Sequence, residues 1–341
     1  MLNERSIKIK LIAMLVMVPV FYVICIFVGS VGIPSSDVIK ALTFQAVADE
    51  ANSFILYDLR IAEALTAILA SAALAVSGII MQSYFRNPLA GPSVMGVSSG
   101  ASFGIALLLV CFPQFIHSDT NSKLMLVMFA AIGAIAILLL LSLIQFRVRN
   151  IETLLIIGLL ITYFLGAFET LLLSNTDAQN VKTFVTWGFG SFSKTGFGDV
   201  SIIALVAGAL IFISLFFSKA LDAFQFSDQT VANTGINKVL SGRIMIILSG
   251  LLCALVTGYC GPIAFIGLCV PHITRMFLNT TRHFYLIIGS LLIAANIGLI
   301  CLTISRLTFL GQNIPLNGVT SFLGAPFIIF ILLRTKRNKI A

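Results

Sequence analysis

Apolar residues in this 341-residue chain gather into ten runs separated by short polar intervals. The runs lie near 11–28, 61–84, 93–112, 124–146, 153–174, 201–218, 244–261, 263–278, 285–304 and 316–333. They are hydrophobic all round, rich in Leu, Ile, Ala and Phe, and show no strict alternation. A membrane barrel would repeat a two-residue period over stretches of ~10 residues. Continuous apolar length of ~20 residues instead predicts helices that cross ~30 Å of hydrocarbon. The eighth run, 263–278, is short and is interrupted by Pro271 and His272. The pattern therefore predicts an all-α integral membrane protein of about ten transmembrane helices, built as one membrane domain over residues 1–341.

Composition narrows the classes further. Hydrophobic residues make up 59% and charged residues only 10%, against ~25% charged in an ordinary soluble domain. Mean hydropathy is +1.07. A soluble globule, a disordered chain and a coiled coil are excluded. The first run follows Arg5, Lys8 and Lys10 and has no A-x-A-like cleavage site after it, so it reads as a first membrane helix rather than a signal peptide.

Charge then orients the helices. Fifteen of the 21 Lys and Arg fall on the side of both termini. The other six are Lys40, Arg60, Lys123, Lys182, Lys194 and Arg306. Basic loops stay in the cytoplasm, so both termini are expected inside. The 175–199 stretch is expected outside, with a short interfacial helix in which Trp187 is an interface anchor. The net charge of +8 is read as orientation, and no basic patch interleaved with aromatics suggests nucleic acid. The six cysteines form no CxxC and read as free, packed thiols. No P-loop, metal cluster, nucleophile–base pair or carboxylate pair is present, so neither catalysis nor a cofactor is expected.

Among polar residues inside the runs, Glu169 lies about one turn before the outer end of the fifth. An intramembrane carboxylate is costly, and it is a candidate point on a translocation path. His272, after Pro271, reads as a structural histidine bonded to freed backbone. His117 and His283 read as loop or helix-end residues.

Four segments mix Gly, Pro and polar residues where a plain span would not. They are RNPLAGPSVMGVSSGASFG at 86–104, FQFSDQTVANTGINK at 224–238, GPIAFIGLCVPHITR at 261–275 and NIPLNGVTSFLGAPF at 313–327. Together, in this order and spacing, they resemble the permease family of ATP-binding-cassette importers for iron–siderophore complexes, haem and cobalamin. Pro88, Gly261, Pro262, Pro271, His272, Pro315 and Gly324 are the motif positions with a structural reading. The chain departs from the family pattern at Asn313, at Ser227 and Thr234, and at Glu63, where an outer Arg-x-x-Arg pair becomes Arg60 and Glu63.

The resemblance implies the type II importer permease fold in a bacterial cytoplasmic membrane. It implies a second permease subunit, most simply a homodimer, an ATPase dimer on the cytoplasmic side and a substrate-binding protein outside. It places ATPase coupling in segment 219–240, at Asp228, Ala232 and Gly235, and binding-protein docking at Arg60 and Arg306. The cargo would be a ferric siderophore or haem; cobalamin is the alternative. An ion-coupled secondary transporter is the rival class, disfavoured because the midplanes carry almost no charge besides Glu169.

Overall fold

Helix α4 (Ala62–Tyr84) is the axis of the protein because its sequence, AEALTAILASAALAVSGIIMQSY, is almost all small or slender on every side. Small residues let neighbouring backbones approach closely where lipid gives no hydrophobic drive for helix association. The computed structural model describes residues 4–91, 96–115, 122–145, 147–148, 151–226, 231, 235–309 and 312–340.

The chain enters through α1 (Glu4–Phe27) and passes through a segment holding α2 (Ser35–Leu42) and α3 (Glu50–Phe54). A π-helical turn, Ile55–Ile61, leads into α4. Next come α5 (Val97–Cys111), α6 (Ser122–Gln145), α7 (Ile151–Leu173), the short α8 (Ala178–Gly188) and α9 (Phe197–Phe216). The short α10 (Ser218–Phe224) precedes α11 (Lys238–Cys260), α12 (Ile266–Leu278) and α13 (His283–Ser305). A two-stranded antiparallel ribbon, β1 (Thr308–Phe309) with β2 (Gln312–Asn313), joins α13 to α14 (Leu316–Ile340).

Seven of the described helices are long and apolar enough to cross a membrane, and three shorter apolar ones run Val97–Cys111, Ile266–Leu278 and Leu316–Phe330. These correspond in order to the ten apolar runs. In the span that contains α4, 83% of the apolar window is buried, against 11% in α1. Helices α13, α11, α12 and α9 pack around α4, α1 lies outside α13, and α5 joins α6 and α7. Exposed Leu, Ile and Phe on α1, α6, α7 and α9 are what a lipid-facing surface requires.

Two helix crossings are set by backbone contact. A Cβ at Gly78 of α4 would come within 1.7 Å of the Gly267 carbonyl oxygen on α12. That carbonyl is the one left without its i+4 partner by Pro271. Likewise, Gly100 of α5 and Gly133 of α6 each sit against the other's carbonyl.

Trp187 differs from its sequence reading. It is 3% exposed, packed into the chain rather than presented to an interface. Helix α8 is amphipathic, and Asn180 and Trp187, two turns apart, are its buried residues. Asn180 Nδ2 donates to the Leu109 carbonyl at 3.1 Å, fixing α8 against α5 with the indole inward.

Gly78→Val should separate α4 from α12 and lower stability by roughly 2 kcal/mol, the ordinary cost of forcing bulk into a packed contact. Thermal unfolding of the detergent-solubilised chain measures it. An unchanged midpoint would mean that the α4–α12 contact is not close-packed.

Candidate functional site

The break between α11 and α12 is built first by backbone chemistry. Gly261 takes φ +73° and ψ 178°, a conformation that favours glycine. Pro262 follows, and Phe265 opens α12 at φ +65°, a sparsely populated region for a bulky residue. Gly324 of α14 holds Phe265 there: a Cβ at 324 would lie 2.6 Å from that of Phe265. Freed polar groups in the break must be satisfied from elsewhere.

Asn317, on the first turn of α14, satisfies them. Its Oδ1 accepts from the Ala264 N–H at 3.0 Å. Its Nδ2 donates to the carbonyls of Pro262 (2.7 Å) and Gly188 (3.0 Å). Its own N–H donates to the Phe189 carbonyl at 3.1 Å. The Ser191 N–H also donates to the Cys260 carbonyl at 2.7 Å. One amide thus joins the end of α8, the break and the start of α14. Pro315 sits one residue before α14 and takes the Val319 N–H on its carbonyl. Midway along α12, His272 Nε2 bonds the Pro88 carbonyl at 2.9 Å.

A second assembly lies where α1 ends. Arg60, carried on the π-helical turn, donates to the carbonyls of Ile26 (2.8 Å), Phe27 and Val31. Arg306, at the end of α13, donates to the carbonyls of Cys25 and Val28. Its Nη2 and Nε also bond Glu63 Oε2, at 2.6 and 3.1 Å. Both guanidiniums are buried. They sit on the carbonyl end of α1, where positive charge and donors are both favoured. Glu63, the departure at the outer pair, is the counter-ion of Arg306.

A third assembly lies at the opposite end of α4. Asp222 of α10 accepts from the backbone N–H of His283 (2.8 Å) and from its Nδ1 (2.7 Å). Asp222 thereby caps the N-terminus of α13 from another element. With Nδ1 donating to a carboxylate, the neutral ring presents Nε2 as an acceptor to the Ser83 hydroxyl, 2.5 Å away. Burial alone would push the Asp222 carboxyl up, but the two hydrogen bonds from His283 and the nearby positive charge of Arg282 outweigh it and hold the group below its ordinary value. Arg86 donates to the carbonyls of Phe224 and Phe226, closing α10 onto the end of α4. Sequence reasoning missed Asn317, Asp222 and the inner role of His283.

Of the coupling residues, Asp228 and Ala232 lie outside the described residues. Gly235 is described and takes φ +74° in the turn before α11, as a stop glycine does. Glu169 lies on α7 and is not joined to any of the three assemblies; its Oε1 is buried without a hydrogen-bond partner among the described residues. Five cysteines are buried, Cys111 is exposed, and all six are free. Among the described residues no cluster could hold a metal.

Asn317→Ala should cost about 3 kcal/mol, since it removes three part-buried hydrogen bonds at ~1 kcal/mol each. Glu63→Ala should cost a similar ~3 kcal/mol by leaving a buried guanidinium without its counter-ion. Equilibrium unfolding in detergent reads both. A carboxyl held below its ordinary value adds stability that is present above about pH 4 and is lost as pH falls through the folded-state value. Asp222→Asn should therefore flatten the acid limb of a stability–pH profile and leave its neutral limb parallel to the parent's.

Comparison with known proteins matches this arrangement to one group. The model of the FecCD transport family matches residues 15–334. The hemin transport system permease protein HmuU of Yersinia pestis is 29% identical over 286 residues, 83% of this chain and 84% of that one. The ferric enterobactin transport system permease protein FepG of Escherichia coli is 30% identical over 317 residues, 91% of each chain. A solved metal-chelate type ABC transporter in an inward-facing conformation superposes with a TM-score of 0.82 at 24% identity, covering 95% of this chain and 98% of that one. With its apolar helices, its broken α12 and its four motif segments in order, the chain belongs to the FecCD transport family of ABC transporter permease subunits, a multi-pass inner-membrane protein that is not itself an enzyme.

Proposed function

We propose that this chain is the permease of an ATP-driven importer that carries a ferric siderophore or haem across a bacterial cytoplasmic membrane. Residues 1–341 form one permease domain with both termini cytoplasmic, and residues 175–199 form an external loop. Two copies surround the path. An ATPase dimer binds at the His283 end and a substrate-binding protein docks at the Arg60 end.

The observation that carries the reading is the rooting of α10 in the ends of α4 and α13. Segment 219–240 is too polar to span and begins with α10. Asp222, His283, Ser83 and Arg86 tie that helix to the central helix of the protein. A push on the segment is therefore delivered to α4 rather than lost in a loop. Asp228, Ala232 and Gly235 form the contact with the ATPase: Ala232 permits close approach and Asp228 meets a basic partner group. The chelate identity is supported by the hemin and ferric enterobactin relatives.

At the other end, Arg60 and Arg306 act on docking through the shape of the 28–34 loop, because their charges are spent on the chain's own carbonyls. Free rim charges set encounter rates and respond to salt. Arg60→Glu should thus weaken binding-protein association to a similar extent at low and high salt. Glu169 faces the path, and Glu169→Gln should alter uptake without lowering the amount of folded protein.

The decisive experiment reconstitutes the chain with its ATPase and binding protein in vesicles. ATP hydrolysis should rise when the binding protein carries the ferric chelate or haem. Ala232→Arg should remove that stimulation and uptake while membrane insertion and binding-protein docking persist. Full coupling in the variant, or no stimulation of the parent by any iron chelate or haem, would overturn the reading.

A further inference from the structure

Beside the Asp222–His283–Ser83 assembly lies a cavity of about 290 Å³. Its floor is Ser83, Gln82 and His283, all buried. Its walls carry two guanidiniums, Arg86 and Arg275, and its rim carries the exposed Gln225 and Thr281. The ends of α4, α10, α12 and α13 all meet there.

Among the described residues that line this cavity there is no carboxylate, and Arg275 is the cation that lacks one. Arg275 is half-buried and makes one hydrogen bond among the described residues, from Nη1 to Gln82 Oε1. Gln82 is itself held by donation from Nε2 to the Leu268 carbonyl, so the acceptor is neutral and fixed. No described carboxylate lies within ion-pair distance of Arg275. Asp222, the nearest acid of the joint, has its Oδ1 committed to His283. Arg282, next along the chain, is paired with Glu4. A half-buried cation beside a polar cavity, with only an amide for company among the described residues, is an incomplete ion site: desolvation is borne and no described opposite charge offsets it.

We propose that the cavity binds the phosphate group of an oxyanion, either inorganic phosphate or the headgroup phosphate of an anionic lipid. A guanidinium presents a planar fork that matches phosphate oxygens two at a time. The exposed Thr281 hydroxyl supplies a further polar contact, and the volume exceeds a bare phosphate, leaving room for a headgroup. Bound there, the anion bridges the helix ends that root segment 219–240 and stiffens the joint. Neither the transported substrate nor the ATPase enters this argument, so it stands or fails apart from the importer reading.

The test uses the full chain in nanodiscs. In phosphatidylcholine discs, inorganic phosphate is titrated calorimetrically at constant ionic strength, with chloride as the balancing anion. In discs doped with phosphatidylglycerol, native mass spectrometry counts the lipids retained. Saturable phosphate binding identifies free phosphate as the source; selective retention of phosphatidylglycerol without phosphate binding identifies the headgroup. In either arm Arg275→Gln should weaken binding by about tenfold, ~1.4 kcal/mol. Thr281→Glu, at an exposed position, should do the same by placing a carboxylate at the rim, so the test survives misfolding of the first variant. The proposal is overturned if neither anion binds, if both variants bind as the parent does, or if binding emerges only after Asp228→Asn, which would make the chain's own carboxylate the occupant.

Discussion

In hydrocarbon, a backbone N–H or C=O without a partner costs several kcal/mol, and no water is there to supply one. A helix meets this demand within itself, but a broken helix does not. Helix α12 begins after a break at Gly261–Phe265, and its proline frees one more carbonyl. The fold around it answers that demand. Asn317 serves the break, Gln82 takes up the Leu268 carbonyl, and α4 draws close enough at Gly78 to cover the Gly267 oxygen. Helix α14 cannot shift independently of α12, because its first turn carries the amide that completes the break. The position of α8 follows too, since the Gly188 carbonyl shares that amide.

The two ends of the bundle use polar groups differently. At the end of α1, two arginines are occupied by backbone carbonyls, and Glu63 offsets the charge of one of them, which gives a stiff corner. At the end of α4, a carboxylate, an imidazole and a hydroxyl form a chain of side-chain hydrogen bonds between three helices.

The order of helices was legible because each span needs ~20 apolar residues, which leaves a plain mark on the sequence. The break in the eighth run was also legible, since Gly261, Pro262 and Pro271 each forbid a regular helix in a known way. Its completion was not. Asn317 is 53 residues from Ala264, and an asparagine at a helix start reads as a local cap. His283 read as a helix-end residue because its partners, Ser83 and Asp222, are 200 and 61 positions away. Charge placed Arg60 and Arg306 on the outer side, and the resemblance made them docking groups. Charge counts give the side of the membrane but not the direction of a side chain, and the carbonyls that attract these two lie on α1. Trp187 was read from residue type, and the amphipathic face of α8 decided its placement instead.

The corner at the end of α1 bears on how the chain is made. The first helix leaves the ribosome early, yet the donors for its last carbonyls come from Arg60 and from Arg306, 281 residues after Cys25. During synthesis the Cys25 and Val28 carbonyls have no arginine donor until Arg306 emerges at the end of α13, whereas those of Ile26, Phe27 and Val31 are met once Arg60 is made. The first helix is therefore threaded at once and locked last. Nascent chains that stop before Arg306 would display an unfinished end on α1, a natural mark by which membrane proteases and insertion chaperones distinguish a partial product from a completed one.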